Sequence, residues 1–339
     1  MAGMAWYLIK RAIDRFTLVL VVVILIFILI RVVPYYVYGE DPFIIYIYSN
    51  LPPGEIGAYA EIVEEFKKTF GIGEPFFPNQ FVRYISALFS FNFGYSFIGR
   101  NWVLEEIKTP LVNTLMLNIV ALITNLVIGF SVGWYSATKR GKTIESTIMG
   151  VSLWSYVTPA WLMAPVVLLV VGYLPRMLWG IHLFPWPPLT PPPLTLTNLP
   201  VYLWHLAMPA MAIVIAGFGG LVYYTRQLTI SELGQDYVLT AKAKGVKETV
   251  IMRQHVFKNV MPPVVVMMAF ALPSLIAGGI ITETIFMYYG MGLKIWHALL
   301  QNDYPIVQTI LFIFCLLTTI SLYISDIVIS WLDPRVRLR

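Results

Sequence analysis

Few side chains in this sequence could do chemistry, and those that could are scattered. No G-x-x-x-x-G-K-[ST] run is present to cradle a nucleotide phosphate, and no H-E-x-x-H, Ser/His/Asp grouping or pair of intramembrane carboxylates is visible. Cys315, the single cysteine, lies in an apolar run, so it has no partner for an internal disulfide or for a cysteine-based zinc or redox site. His182 and His205 are far apart with no carboxylate or thiol beside them, and no metal site is expected. What remains are polar groups inside apolar segments. Glu283 stands in Gly278-Gly-Ile-Ile-Thr-Glu-Thr-Ile285 and Asp326 in Ser325-Asp-Ile-Val-Ile-Ser330. Ionised groups at membrane depth are costly and face a cavity, the bundle interior or a partner. Asp326 reads as a group paired with backbone or a neighbouring helix; Glu283 reads equally as that or as part of a polar path. Asn113, Asn118, Thr124 and Asn125 either line such a path or hydrogen-bond across helices.

The elements that must hold these groups are apolar helices. Hydrophobic residues make up 58% and charged residues only 12% of the 339, with a mean hydropathy of +0.74, whereas soluble domains carry roughly a quarter charged residues. The chain therefore reads as an all-α integral membrane protein. Apolar runs over 16–33, 111–138, 146–175, 206–225, 259–282 and 304–325 approach or exceed the roughly 20 residues that a spanning helix needs, which predicts six transmembrane helices. The first lacks a small-residue cleavage site and is expected to be an uncleaved helix rather than a signal peptide. With the N-terminus inside, fifteen of the 23 Lys and Arg residues fall in inner segments and seven in outer ones, with Arg31 near a helix end, as the positive-inside rule requires. Both termini are thus expected in the cytoplasm of a multi-pass protein of the cell (plasma or inner) membrane. The formal charge of +5 comes with no nucleic-acid-binding signature, and loop bias accounts for it.

These spans divide the chain into residues 1–33 (N-terminus and first helix), 34–110 (an extracellular subdomain) and 111–339 (a core of five helices). In the subdomain, Tyr59, Ile62, Val63, Phe66 and Phe70 recur at helical spacing beside charged residues, predicting an amphipathic helix. After the third span, residues 183–200 read FPWPPLTPPPLTLTNLP from Phe184 onward. Proline cannot continue a helix, so this stretch is extended or polyproline-like, and is either a wall or lid at the outer mouth or a stiff connector. Between the fourth and fifth spans lies a basic, polar island, residues 231–263, which overlaps the inner loop 226–262. Its helix-prone part ends at Gly245. It is either an ordinary charged loop or a surface for a soluble partner.

In detail the island resembles a known family. The run Asp236-Tyr237-Val-Leu-Thr240-Ala241-Lys242-Ala243-Lys244-Gly245, with Pro262 closing the segment, is similar to the cytoplasmic coupling loop of ABC-importer permeases of the oligopeptide/dipeptide branch. The family's outer-loop pattern is matched by Gln80, Tyr84, Leu88, Gly94 and Ser96, although Phe91-Asn92 departs from its Gly-Asp. Thr282-Glu-Thr-Ile-Phe286, Gly290-Met-Gly292, Asn302-Asp303-Tyr304-Pro305 and the closing Leu332-Asp-Pro-Arg-Val-Arg337 look like further family motifs. Gly290 stands where the family has proline, Asn302 where it often has arginine, and Leu239 where the general coupling motif has an acidic residue. The altered outer loops leave substrate open.

The resemblance implies a type I ABC-importer permease fold, with a cytoplasmic coupling helix between the fourth and fifth transmembrane helices. It implies a permease subunit, not an enzyme, forming half of a translocation path by alternating access. The implied partners are a second homologous permease subunit (a heterodimer), two cytoplasmic ABC ATPases that bind ATP and Mg, an extracellular lipid- or membrane-anchored substrate-binding protein, and membrane lipids; no cofactor in this chain and no nucleic acid are expected. Asp236 to Gly245 would couple to the ATPases: Thr240, Ala241 and Ala243 are small enough for close backbone approach, Tyr237 would fill a pocket, and Lys242 and Lys244 would favour the helix C-terminus or acidic groups. Asn118, Asn125 and Glu283 are the path candidates. Short peptides are the family default, with di- or oligosaccharides and nickel complexes carried by similar permeases. A self-contained secondary transporter or channel is the rival class, but it would need internal repeats, and none is visible.

Overall fold

The computed structural model describes residues 2–51, 57–271 and 279–332. The closing motif after Leu332 and the centre of the fifth expected span, 272–278, lie outside them. Among the described residues five helical segments are long and apolar enough to cross a membrane: Trp6–Tyr38, Val103–Thr138, Ala160–Trp179, Leu199–Leu233 and Tyr304–Ser330. The fifth expected span begins as a helix of its own, Phe257–Ala271.

Two of the expected boundaries move. The first helix was expected over 16–33, but α1 (Ala2–Phe27) passes through a π-helical turn, Ile28–Val32, into α2 (Val33–Tyr38). Its 33 apolar-rich residues would reach about 50 Å at 1.5 Å per residue, well beyond a hydrocarbon core of about 30 Å. Helix continues past Arg31 because that charge is buried and bonded rather than exposed. The third span, expected as one run over 146–175, is broken. It forms α7 (Thr143–Val157), then an extended step at Thr158 (φ −74°, ψ 124°) and Pro159 (φ −62°, ψ 135°), before helix resumes at Ala160. The residue before a proline is driven out of the helical region, and proline has no N–H to give.

The chain forms two compact units. The first takes residues 1–114 with 276–280 and 289–323. Here α1 and α2 are followed by α3 (Pro42–Asn50), α4 (Ala60–Phe70) and α5 (Phe81–Phe89), the two-residue antiparallel strands Tyr95–Ser96 and Asn101–Trp102, and the start of α6 (Val103–Thr138). Val63, Phe66 and Phe70 of α4 are buried, which is the apolar face expected from their spacing. Rings dominate this core: Phe27, Phe43, Tyr46, Phe66, Phe70, Tyr84, Phe93 and Phe97 are nearly or wholly buried, together with Ile306, Ile310 and Phe312.

The second unit takes residues 115–275 with 281–288 and 324–339. It holds the rest of α6, α7, α8 (Ala160–Val167) leading through a π-helical turn to α9 (Leu174–Trp179), α10 (Leu199–Leu233), α11 (Asp236–Ala243), α12 (Glu248–Ile251), α13 (Phe257–Ala271) and α14 (Ile280–Ile285). The remaining helices are α15 (Met291–Leu300), in the first unit, and α16 (Tyr304–Leu332). Apolar burial gives helices little reason to associate within lipid, so close backbone approach and hydrogen bonds must hold them. The contact between α7 and α10 shows both. Gly219 lies so close to α7 that an added Cβ would sit 1.9 Å from the Ser152 carbonyl oxygen. The Ser155 hydroxyl donates to the Ile215 carbonyl at 2.5 Å and accepts from the Gly219 N–H at 3.2 Å.

Gly219→Ala should therefore destabilise the folded protein by about 1–3 kcal/mol through overpacking, whereas Gly150→Ala, where nothing lies within 4 Å of the new Cβ, should be neutral. Thermal unfolding of the purified protein in detergent checks this; equal melting of the two variants would refute the close approach.

Candidate functional site: an exposed short helix and the polar clusters of the two units

The basic island folds as a short helix held from one side. α10 ends at Leu233, Gln235 is extended (φ −77°, ψ 150°), and α11 begins with Asp236 in its first turn and carries Lys242 in its last. Both charges suit the helix dipole. Gly245 adopts φ +74°, its N–H donates to the Lys242 carbonyl at 2.9 Å, and the Val246 N–H donates to that of Ala241 at 3.1 Å. This is a Schellman termination, which favours glycine at the left-handed position. Val238 is wholly buried in a cluster with Leu221, Ile251, Met252, Val256, Val260 and Val264, against which Tyr237, Ala241 and Val246 also pack.

The sequence reading placed Tyr237 in a partner's pocket; its hydroxyl is instead engaged within the chain. It donates to Glu232 Oε2 at 2.7 Å and accepts from Asn259 Nδ2 at 3.0 Å. Burial and Glu232 both push its pKa up. Tyr237 and Ala241 turn inward because Val238, Ala241 and Val246 form the apolar stripe that seats the helix. Asp236, Leu239, Thr240, Lys242, Ala243, Lys244 and Gly245 are exposed. The helix therefore shows a mainly polar outer face, while its inner face packs against α10 and α13. At the start of α7, Glu145 accepts from the Arg226 Nε at 2.8 Å, from Arg226 Nη2, and from the Gly141 N–H at 2.5 Å. Those bonds hold its carboxyl below the usual range, Arg226 contributing most.

The path candidates lie elsewhere in the second unit. Glu283 on α14 is fully buried and Asn118 on α6 nearly so. Asn125, about two turns further along α6, is half-buried, and its Oδ1 has no hydrogen-bond partner among the described residues. Tyr288 and Tyr202 are buried and hydrogen-bonded to each other, with Glu283 near enough to act on Tyr288. Asp326 on α16 is buried as well. Leu189 of the proline-rich segment is wholly buried beside Phe286, Tyr288 and Tyr202, and its N–H donates to the Met287 carbonyl at 3.1 Å. One point of that loop is thereby pinned.

In the first unit the structure joins two motifs that sequence reading had noted separately. The Asp303 carboxylate accepts from Ser96 Oγ at 2.6 Å and from the Tyr46 hydroxyl at 3.0 Å; that hydroxyl accepts from the Phe97 N–H at 2.8 Å, and Ser96 Oγ from the Gly99 N–H at 2.9 Å. Burial pushes the Asp303 pKa up, against the pull of these hydrogen bonds. Beside it Glu106 on α6 pairs with Lys294 on α15. Tyr46, Glu106 and Lys294 escaped the sequence reading, since none stands in a noted motif. Ser96 and Asp303 stood in such motifs, but their meeting across 207 positions is a tertiary fact.

Long apolar helices, a buried polar scaffold and one short helix exposed on one side define a multi-pass membrane protein. Comparison with known proteins gives the family: the model for the binding-protein-dependent transport system inner membrane component matches residues 129–338. The chain belongs to that family and is a permease subunit of an ABC importer. It is 27% identical over 338 residues to the oligopeptide transport system permease protein AppB of Bacillus subtilis, covering 98% of this chain and 99% of that protein. It is equally 27% identical to the metal-staphylopine import system permease protein CntB of Staphylococcus aureus, covering 98% of each, and to the glutathione transport system permease protein GsiC of Escherichia coli, covering 98% and 99%.

Asp303→Asn should destabilise the first unit by about 1–3 kcal/mol, because an amide cannot accept both donors and leaves one buried hydroxyl unsatisfied. Combined with Ser96→Ala the losses should be less than additive, since the two share one bond. A double-mutant cycle on thermal unfolding reads the coupling; strict additivity would show that the bond contributes nothing.

Proposed function

We propose that this permease forms half of the translocation path of an importer of short peptides, and that α11 is the element through which cytoplasmic ATPases drive it. The observation that carries the coupling reading is the two-sidedness of α11, with Val238 wholly buried while Thr240, Ala243 and Lys244 are exposed. A second homologous permease subunit would complete the path, two ABC ATPases would bind ATP and Mg, and a membrane-anchored binding protein would deliver substrate to the outer face. Both termini and residues 226–262 would face the cytoplasm and residues 34–110 the outside, following the bias of Lys and Arg. Closure of the ATPases on ATP would shift α11, and the helices would reopen toward the other side. Two of the relatives named above carry oligopeptide or glutathione in their names, which supports a peptide substrate. The metal-staphylopine relative, at equal identity, supports a metal chelate as the second reading.

Ala243→Glu places a charge on the exposed face without touching the chain's own core. It should weaken ATPase docking by about 3 kcal/mol or more if that charge is buried unpaired, abolishing uptake while the permease still inserts. Co-purification of the ATPases with the variant and uptake in vesicles read this. Undiminished docking and uptake would mean that α11 is a solvated loop helix.

Orientation has its own test. Cysteines replacing Lys67 and Pro192 should react with an impermeant thiol reagent on intact cells, and one replacing Lys247 only after lysis. Labelling at position 247 on intact cells would invert the topology.

A further inference from the structure

Where α6 ends, a groove of about 610 Å³ opens between its last turns and the chain that follows α11. Its floor is aromatic. Phe130 and Trp134, one turn apart on α6, stack with ring centroids 5.8 Å apart and planes at 22°. Phe257 meets both edge-on, at 5.7 and 5.9 Å. The mouth is charged, with Lys139 and Arg253 on its rim and Glu248 as the one carboxylate among the lining residues. Among the described residues neither Lys139 nor Arg253 belongs to an ion pair, and Lys139 Nζ lies 5.4 Å from the centre of the Tyr135 ring. The apolar segment of α6 ends at Thr138, so Trp134 lies one turn before that end and Lys139 just beyond it.

That order, rings within the groove and cations outside any ion pair at its mouth, matches the two halves of a phospholipid. Trp is favoured at the membrane interface, and basic pockets at helix ends recognise anionic headgroups. We propose that this groove is a binding site for one anionic phospholipid, its phosphate held by Lys139 and Arg253 and its acyl chains lying along Phe130, Trp134 and Phe257. An acidic protein segment would satisfy the cations but would leave the aromatic floor facing a polar chain. A zwitterionic lipid would bring its own cation to a rim that already carries two against one carboxylate. The lipid would come from the cytoplasmic leaflet if the orientation proposed above holds; the binding itself does not depend on it.

The assembled transporter in detergent, supplied with phosphatidylglycerol or phosphatidylcholine, tests this by native mass spectrometry. One phosphatidylglycerol per copy of this chain should be retained, phosphatidylcholine should not, and inorganic phosphate should displace nothing. Lys139→Gln and Arg253→Gln should each weaken retention about fivefold and together about 25-fold, taking roughly 1 kcal/mol for each cation near the surface. Lys139→Arg with Arg253→Lys should keep the lipid, which separates loss of charge from loss of fold. Equal retention of phosphatidylcholine, unchanged retention in the double Gln variant, or a photo-crosslinker at position 134 that captures protein rather than lipid would overturn the proposal. The same spectra show whether ATPases remain attached, so failure of the transport reading and failure of the lipid site are distinct results.

Discussion

The first unit is arranged around one buried cation. Arg31, on the first membrane helix, is wholly inaccessible to solvent, and an uncompensated charge there would cost several kcal/mol. Its Nη1 donates to the Phe70 carbonyl at 3.0 Å and to Gln80 Oε1 at 2.8 Å, and its guanidinium carbon lies 4.2 Å from the centre of the Phe43 ring. Each contact recruits a different segment. Phe70 is the last residue of α4, Gln80 immediately precedes α5, and Phe43 is in the first turn of α3, where Asp41 caps the helix through the Phe43 N–H at 2.9 Å. Gln80 then links back, donating to the Glu74 carbonyl at 2.8 Å and to Asp41 at 3.3 Å. Bonds to a charged group contribute about 1.5–3 kcal/mol each, and a desolvated cation over a ring about 2. The segment between the first helix and α6 has few long helices of its own, so this charge and the ring cluster around it define how its pieces meet.

The second unit faces a different constraint. Exposed apolar residues such as Ile119, Ile123 and Val127 recur at four-residue spacing on α6 and suit hydrocarbon, but they cannot position helices against one another. Position comes from small residues and polar bonds: Gly219 against Ser152, Ser155 bridging to Ile215, and Ser325 Oγ donating to the Ala269 carbonyl at 2.5 Å. The loop and helix that follow α10 escape this constraint. There an apolar cluster around Val238 works by ordinary burial from water, which leaves the opposite face of α11 exposed.

Much of this was legible in the sequence. The apolar runs announced helices, the spacing of Val63, Phe66 and Phe70 announced the buried face of α4, and Gly245 marked the end of α11, because each depends on near neighbours in the chain. The break at Thr158 was missed although Pro159 is plain in the sequence, since a hydropathy run does not register a lost backbone donor. Arg31 was read as a charge near a helix end, for nothing local says that Phe70 and Gln80 lie beside it.

Membrane character, family motifs, the absence of a phosphate loop and the basic island were determined by the sequence alone, because they rest on composition and on short-range pattern. Only the tertiary structure decided which face of α11 is outward, that Ser96, Tyr46 and Asp303 form one hydrogen-bonded group, and that Glu283 is buried near Tyr288. The physical reason is the same in each case. A side chain's role follows from what desolvates it and what satisfies its hydrogen bonds, and in a helical membrane protein those partners come from segments tens to hundreds of residues away.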